Sequence, residues 1–93
     1  MEIRFTWSEA KRESNWIKHR LDFADVERVF AGVVFTYEDT RFCYSERRFV
    51  TLGLLHETPV HVVYASYAEE IRIISFRKAT RREAKIYFEE VRH

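Results

Sequence analysis

The chain has 93 residues, of which 46% are hydrophobic and 16% aromatic; this apolar content is enough for a packed core and excludes the disordered class. A single cysteine, Cys43, excludes an intrachain disulfide framework and a zinc site built on cysteines. We expect one domain over residues 1–93, and the lack of a long apolar run predicts a cytoplasmic protein without a membrane span.

Residues 3–32 predict a short strand followed by two helices. The strand covers Ile3–Trp7, and Ser8 caps a helix that runs to about Lys18. A thin apolar stripe marks the inward face of this helix: Ala10, Ser14, Ile17 and Leu21, with Trp16 beside them. Asp22 begins the second helix, which ends at Gly32 in a left-handed conformation. Its inward residues are Phe23, Val26, Val29 and Phe30.

The hydrophobic period then changes to two, which predicts four strands. They cover Val33–Tyr37, Arg47–Leu54, Val60–Ala65 and a last strand around residues 71–77. A polar connection over Glu38–Ser45 follows the first of them, and His56–Pro59 forms a turn before the third, which is β-branched and expected at the centre of the sheet. In the last strand, alternation places Ile71, Ile73, Ser75 and Arg77 on one face and Arg72, Ile74 and Phe76 on the other.

A capping box begins the last helix, because Thr80 is followed three residues later by Glu83. Apolar residues then recur at helical spacing: Ala84, Tyr87, Phe88 and Val91. The resulting order is β-α-α-β-β-β-β-α, an antiparallel sheet with two N-terminal helices and one C-terminal helix. Strands in one run with helices at the two ends of the chain indicate an α+β fold.

Positive charge is concentrated where the last strand joins the last helix. The whole chain carries +1, whereas residues 72–85 hold six positive residues and one negative residue, a net charge of +5. The N-terminus of a helix also favours anions. The junction therefore predicts a surface that faces phosphate.

No nucleotide-binding, metalloprotease or serine-hydrolase motif occurs in the chain, and its four histidines lack metal-ligand spacing, so we expect no metal and no cofactor. What remains is a set of arginines, a lysine–histidine pair and several carboxylates. Arginines neutralise charge on a reacting phosphate, and a lysine, histidine or glutamate can take the proton of a 2′-hydroxyl. The set therefore suits phosphodiester cleavage without a metal.

The two strand arginines also have a structural interpretation. Arg48 and Arg77 lie on strands that are otherwise apolar. Contact with phosphate and an ion pair with Glu46 or Glu70 are equally consistent with that pattern.

The cations at helix ends also have a structural and a functional interpretation. Lys18 and His19 end a helix, where the dipole favours cations in any case, whereas Arg81 and Arg82 open one, where the dipole disfavours them and an acidic partner or RNA would compensate. Core packing is the preferred interpretation of four aromatic residues: Trp7, Trp16, Tyr64 and Tyr87.

The first half of the chain resembles the opening of the BrnT family of bacterial type II toxins through the run Phe5-x-Trp7-x-x-x-Lys11-x-x-x-Asn15-x-x-Lys18-His19, followed by Phe23. The second half resembles the rest of that family, in order and spacing, through Glu46-x-Arg48-Phe49, Gly53, Val62-Val63-Tyr64 and the run RIISFRKATRRE at 72–83. Members of the family typically carry glycine where this chain has Arg20, so an arginine has to form the left-handed end of the first helix.

This resemblance implies a RelE-like fold and a metal-independent endoribonuclease toxin that cleaves RNA and thereby inhibits translation and growth. It also implies a cognate antitoxin, usually BrnA, which is a ribbon-helix-helix DNA-binding protein. DNA would then be contacted only through the antitoxin complex, with two toxins and two antitoxins.

The resemblance implies catalytic roles for Lys18, Glu46, Arg48 and Arg77, with His19 beside them. On this hypothesis Arg48 and Arg77 clamp the scissile phosphate, while Lys18 or His19 performs proton transfer together with Glu46. The residues expected to hold the RNA backbone are Lys78, Arg81 and Arg82. The alternative is a non-catalytic basic module that binds an antitoxin or nucleic acid. DNA binding by this chain alone is not favoured, since no helix carries a recognition-helix pattern.

Overall fold

The computed structural model describes residues 2–41 and 45–92. Its strands are β1 (Arg4–Thr6), β2 (Phe35–Glu38), β3 (Arg48–Leu55), β4 (Thr58–Ser66) and β5 (Glu70–Lys78). Its helices are α1 (Glu9–His19), a 3₁₀ turn (Phe23–Asp25), α2 (Val26–Phe30) and α3 (Arg81–Glu90). The predicted order and the α+β class are confirmed. Residues 42–44 of the predicted polar connection, with Cys43 among them, lie outside the described residues.

β4 lies at the centre of a five-stranded sheet of order β1-β5-β4-β3-β2, as its β-branched composition predicted. Neighbouring strands are antiparallel, except β1 and β5, which are parallel. The β3–β4 hairpin turns on His56 and Glu57 alone, with φ of 49° and 68°. Positive φ at both positions matches the twist of the flanking strands, so the turn is shorter than predicted and β4 already begins at Thr58.

One face of the sheet packs on the 3₁₀ turn and α2. Phe23, Val26 and Val29 are fully buried there in a cluster that includes Val62, as the helical spacing predicted. Gly53 in β3 permits this close approach, because a Cβ at that position would lie 2.7 Å from Val29 Cγ1.

The two N-terminal helices end differently from each other. Arg20 adopts the left-handed conformation with φ 56° and ψ 32°, and its N–H donates to Trp16 O, so an arginine does form this turn. α2 instead stays right-handed through Ala31. The prediction of a left-handed Gly32 is wrong, because neither glycine of the chain has a positive φ. The Gly32 N–H instead donates to Val29 O at 3.2 Å, a 3₁₀-type hydrogen bond that tightens the last turn of α2.

α1 covers an edge of the sheet rather than a face. β1 pairs only with residues 70–72 of β5, so the backbone further along that edge needs another partner. Asn15 provides it, because its Oδ1 accepts from Phe76 N–H at 3.0 Å and its Nδ2 donates to Phe76 O at 2.7 Å. The inward residue of α1 is therefore polar, and the predicted apolar stripe is wrong except for Leu21, which packs against the core. Its exposed members are Ala10, Ser14, Ile17 and Trp16.

α3 packs on the other face of the sheet. Tyr87 is buried there with Val50 and Leu52, and the predicted capping box is present. Phe88, predicted to lie on the same stripe, is 50% exposed. No helix in the described part of the chain is long and apolar enough to cross a membrane.

A β-bulge at Ile74 decides which side chains of β5 share a face. The register with β4 shifts between Val63 and Tyr64, which leaves Ile74 as the extra residue. Ile73 and Phe76 consequently both lie in the core, and the predicted strict alternation is wrong because a bulge inserts one residue. The side chains of β5 on the α3 face are Arg72, Ser75 and Arg77.

Candidate active site

Two rows of side chains cross the sheet face that carries α3. The first row consists of Arg48, Ala65 and Arg72 on β3, β4 and β5. The second row consists of Leu52, His61 and Arg77 on the same strands. The rows are separated by four residues of β4, or about 13 Å. Arg48 and Arg77 thus share a face, but each contacts a different carboxylate.

The first row forms a cluster around one carboxylate, here called the Glu46 site: Glu46, Arg48, Tyr67 and Arg72. Glu46 Oε1 lies 3.5 Å from a terminal nitrogen of Arg72 and 3.9 Å from Arg48 Nε. Tyr67 donates its hydroxyl to Glu46 Oε2 at 3.0 Å. Two guanidinium groups against one carboxylate leave a net positive charge on an accessible surface, where the Arg72 side chain is 49% exposed. Such a surface attracts an anion such as phosphate.

The second row ends in a closed ion pair between Arg77 and Glu83. Two guanidinium nitrogens of Arg77 donate to the two carboxylate oxygens at 2.8 and 2.9 Å. The Thr80 N–H donates to the same carboxylate at 2.9 Å. The hydrogen bond from Arg77 is the largest cause that lowers the pKa of Glu83 to about 2. The pair is therefore fully ionised at neutral pH and fastens the start of α3 to β5.

His61 lies beside this pair and was not singled out by its position in the sequence. Its Nε2 is 3.7 Å from Glu83 Oε2, and its buried Nδ1 has no hydrogen-bond partner among the described residues. Burial, followed by the charge of Arg77, lowers the pKa of His61 below its usual value of 6.5. The imidazole is thus neutral at pH 7. With Arg77, Glu83 and Tyr37 it borders a polar cavity of about 280 Å³.

Lys18 and His19 lie at the edge of the sheet, away from both rows. They border a cavity of about 230 Å³ together with Lys11 and Ile74. Lys11 and Ile74 also border a cavity of about 280 Å³ next to Arg72. The shared residues join the two cavities into a basic track, formed by Arg72, Lys11, Lys18 and His19. The track leads away from the Glu46 site along the edge of β5.

The three residues expected to hold RNA are exposed at the start of α3: Lys78, Arg81 and Arg82. Lys78 ends β5, and the two arginines occupy the first helical turn. They are near Arg77 in the chain but belong to neither the Glu46 site nor the basic track.

The structure brings some predicted residues together and separates others. Glu46 and Arg48 are neighbours at 3.9 Å, whereas the partner of Arg77 is Glu83 rather than Glu46 or Glu70. Sequence reasoning missed Tyr67, which is 21 residues from Glu46 in the chain, and it did not give Arg72 a role. Among residues 2–41 and 45–92, no group of three or more histidine, cysteine or acidic residues is placed to hold a metal ion.

Comparison with known proteins identifies a matching family model and a similar solved structure. A family model described as "Ribonuclease toxin, BrnT, of type II toxin-antitoxin system" matches residues 7–83. The 1.1 Å crystal structure of the Brucella abortus ribonuclease toxin BrnT is similar with a TM-score of 0.63 and 26% identity, over 85% of this chain and 99% of that chain. No curated protein sequence matches the chain.

Proposed function

This chain belongs to the BrnT family of ribonuclease toxins of type II toxin–antitoxin systems, and from that premise we propose that it cleaves RNA at the Glu46 site. The observation that carries the proposal is a carboxylate oxygen of Glu46 that lies 3.5 Å from Arg72 and 3.9 Å from Arg48. Cleavage next to a 2′-hydroxyl without a metal ion needs a base and fixed positive charge, and both lie on this face of the sheet.

The roles within the site follow from the chemistry of each side chain. The Glu46 carboxylate takes the proton of the 2′-hydroxyl, and the 2′ oxygen attacks the adjacent phosphorus. Arg48 and Arg72 neutralise the charge that builds on the non-bridging oxygens of the phosphate. Neither step requires a cofactor.

The basic track supports a binding role for the cations at the end of α1. Lys18 and His19 are joined to Arg72 through cavities that share Lys11, so an RNA strand with its phosphate at the Glu46 site has a positive surface to follow. Proton transfer by Lys18 or His19, the role predicted from the sequence, stays a prediction.

We assign Arg77 to the support of RNA binding rather than to the scissile phosphate. Two of its nitrogens are already engaged by Glu83, and a phosphate would have to displace a carboxylate that stays ionised at neutral pH. By fastening the first turn of α3, Arg77 holds Arg81 and Arg82 towards the RNA backbone. Lys78 lies at the end of the same strand and extends this surface.

The partner follows from the family. A type II toxin has a cognate antitoxin, and we propose a BrnA-like protein with a ribbon-helix-helix part that assembles with the toxin in a complex of two and two. This antitoxin would bring the toxin to DNA. Residues 1–93 would act as one domain in the cytoplasm, where the RNA substrate and the antitoxin are present.

Substitutions at the Glu46 site test the proposal. We expect Glu46→Gln and Arg48→Ala each to lower the rate of cleavage of a single-stranded RNA by about 100-fold or more, in the presence of EDTA as well as in its absence. The matched control is Arg47→Ala, because Arg47 pairs with Glu38 and is 73% exposed; its rate should stay within about twofold of the unaltered chain. Circular dichroism would verify that each variant is folded. If Glu46→Gln cleaved RNA at the unaltered rate, the site would be misplaced.

A further inference from the structure

Tyr67 is placed at the Glu46 site by the turn between β4 and β5. Its N–H donates to Glu70 O at 2.8 Å, which closes the turn directly after the end of β4. Tyr67 is 46% exposed, so burial does not account for the position of its side chain. The hydroxyl donates to Glu46 Oε2 at 3.0 Å, although water could satisfy it at such an exposed place.

The two oxygens of Glu46 therefore have different neighbours. Oε1 faces the guanidinium groups of Arg48 and Arg72, whereas Oε2 accepts the hydroxyl proton of Tyr67. A phosphate attracted by the arginines would approach Oε1, with the Tyr67 hydroxyl held next to it by its hydrogen bond to Oε2 of the same carboxylate. One group that accepts a proton and one that donates a proton thus stand at a single anion site.

We propose that Tyr67 is a catalytic residue, the general acid that protonates the leaving 5′ oxygen of the RNA. The inference rests on the proposed function of the Glu46 site. The proton of the 2′-hydroxyl passes to Glu46, the bond from the 2′ oxygen to phosphorus forms, and the bond from phosphorus to the 5′ oxygen breaks. The hydroxyl proton of Tyr67 passes to that 5′ oxygen. The products are a 2′,3′-cyclic phosphate and a 5′-hydroxyl.

The hydrogen bond between the two side chains also restores the site. After cleavage Glu46 holds the proton of the 2′-hydroxyl on Oε1 and Tyr67 is a phenolate. Rotation of the carboxyl group brings this proton to the position 3.0 Å from the phenolate oxygen, from which it returns to Tyr67. No proton is taken from or lost to solvent over the cycle. The same hydrogen bond raises the pKa of Tyr67 above its usual value of 10.0, so the phenol carries the proton it has to donate at neutral pH.

A substrate that needs no acid isolates this role. Tyr67→Phe removes only the hydroxyl, at an exposed turn where the ring is retained. Its single-turnover rate is measured on an oligoribonucleotide with one ordinary linkage and on the same oligoribonucleotide with sulfur in place of the bridging 5′ oxygen, since a thiolate leaves without protonation. We expect the variant to cleave the oxygen substrate about 100-fold more slowly than the unaltered chain. We expect it to cleave the sulfur substrate within about threefold of the unaltered chain, because no general-acid step is left to lose.

Each other outcome would overturn the assignment of Tyr67. An unaltered rate on the oxygen substrate would show that the hydroxyl is not needed, and equal losses on both substrates would show that it positions Glu46 instead of donating a proton. Tyr37→Phe is the control, because it removes the hydroxyl of another tyrosine, which is 41% exposed and lies outside the Glu46 site. It should leave both rates unchanged. A failure of the proposed function is distinguishable: Glu46→Gln would then be active, whereas an inactive Glu46→Gln with a fully active Tyr67→Phe would overturn the Tyr67 role alone.

Discussion

The α3 face of the sheet carries two acidic–basic clusters that differ in how completely their charges are matched. At the start of α3, Arg77 and Glu83 form two parallel hydrogen bonds of 2.8 and 2.9 Å. At the Glu46 site, the contacts from Arg72 and Arg48 to the carboxylate measure 3.5 and 3.9 Å. The first geometry is that of a bidentate pair, and the second is longer than a hydrogen bond.

From this difference we infer a structural role for the first cluster, and it supports the catalytic role proposed for the second. A bidentate pair satisfies both partners and leaves little for a ligand to gain, so it stabilises the fold. A looser cluster with an excess of positive charge gains energy when a phosphate arrives. Residue type alone does not distinguish the two clusters, because each combines arginine with glutamate.

The largest effect on stability is expected at the closed pair. The pKa of Glu83 is about 2 in the folded chain against an ordinary value of 4.5, so the unfolded chain binds this proton first as the pH falls. The stabilisation is complete above about pH 4.5 and is lost as the pH approaches 2. Glu83→Gln should therefore lower the free energy of unfolding by about 2–3 kcal/mol at pH 7 and by much less at pH 2.5. Urea titration at the two pH values measures both quantities.

Two other glutamates sharpen this comparison. Glu38 also forms a bidentate pair, with Arg47 at 2.9 and 3.1 Å, but that arginine is 73% exposed. Glu38→Gln should cost less than about 1 kcal/mol, because its arginine is exposed. Glu46→Gln should cost less than Glu83→Gln, because its contacts to arginine are longer than hydrogen bonds, in spite of its larger expected effect on cleavage. If Glu83→Gln lowered the free energy of unfolding no more than Glu38→Gln does, the Arg77–Glu83 pair would have no special structural role.

A smaller change in the free energy of unfolding, of opposite sign, is expected at His61, which lies beside the Arg77–Glu83 pair. Its Nδ1 is buried without a hydrogen-bond partner among the described residues, and its neighbour on β3 is Leu52. His61→Leu should raise the free energy of unfolding by about 1 kcal/mol at pH 7.5. The gain should be larger at pH 5.5, because the lowered pKa of His61 makes protonation favour the unfolded chain. Thermal unfolding at both pH values is the measurement, and a destabilised variant would show that the imidazole has a partner.

The smallest of these effects, on RNA binding alone, is expected at Arg82, an arginine outside both clusters. Arg82→Ala should weaken RNA binding a few-fold, leave the single-turnover rate at saturation unchanged, and reduce the slope of log affinity against log salt by about 0.7. Filter binding over a series of salt concentrations measures the slope. Arg28→Ala on α2, where the side chain is 68% exposed, is the control and should leave the slope as it is. A fall in the saturated rate would place Arg82 in the cleavage step.

Much of the fold could be predicted from the sequence because it depends on neighbours in the chain. The order of elements, the Ser8 cap and the capping box of α3 are set by local spacing, and all are present. The predicted face of α1 is wrong because a distant strand altered the local pattern. Asn15 is inward because an edge of β5 lacks a partner, and the apolar residues of α1 face outward although their spacing is helical.

The sequence by itself determined the family, the order of elements and the candidates Glu46, Arg48 and Arg77, because these depend on residue type and spacing. Only the tertiary structure decided which of them lie close together. The register of β3, β4 and β5, with its bulge at Ile74, places Arg72 beside Arg48. The turn after β4 brings Tyr67 to Glu46 across 21 residues. Sheet register joins residues that are far apart in the chain, and no local pattern encodes that proximity.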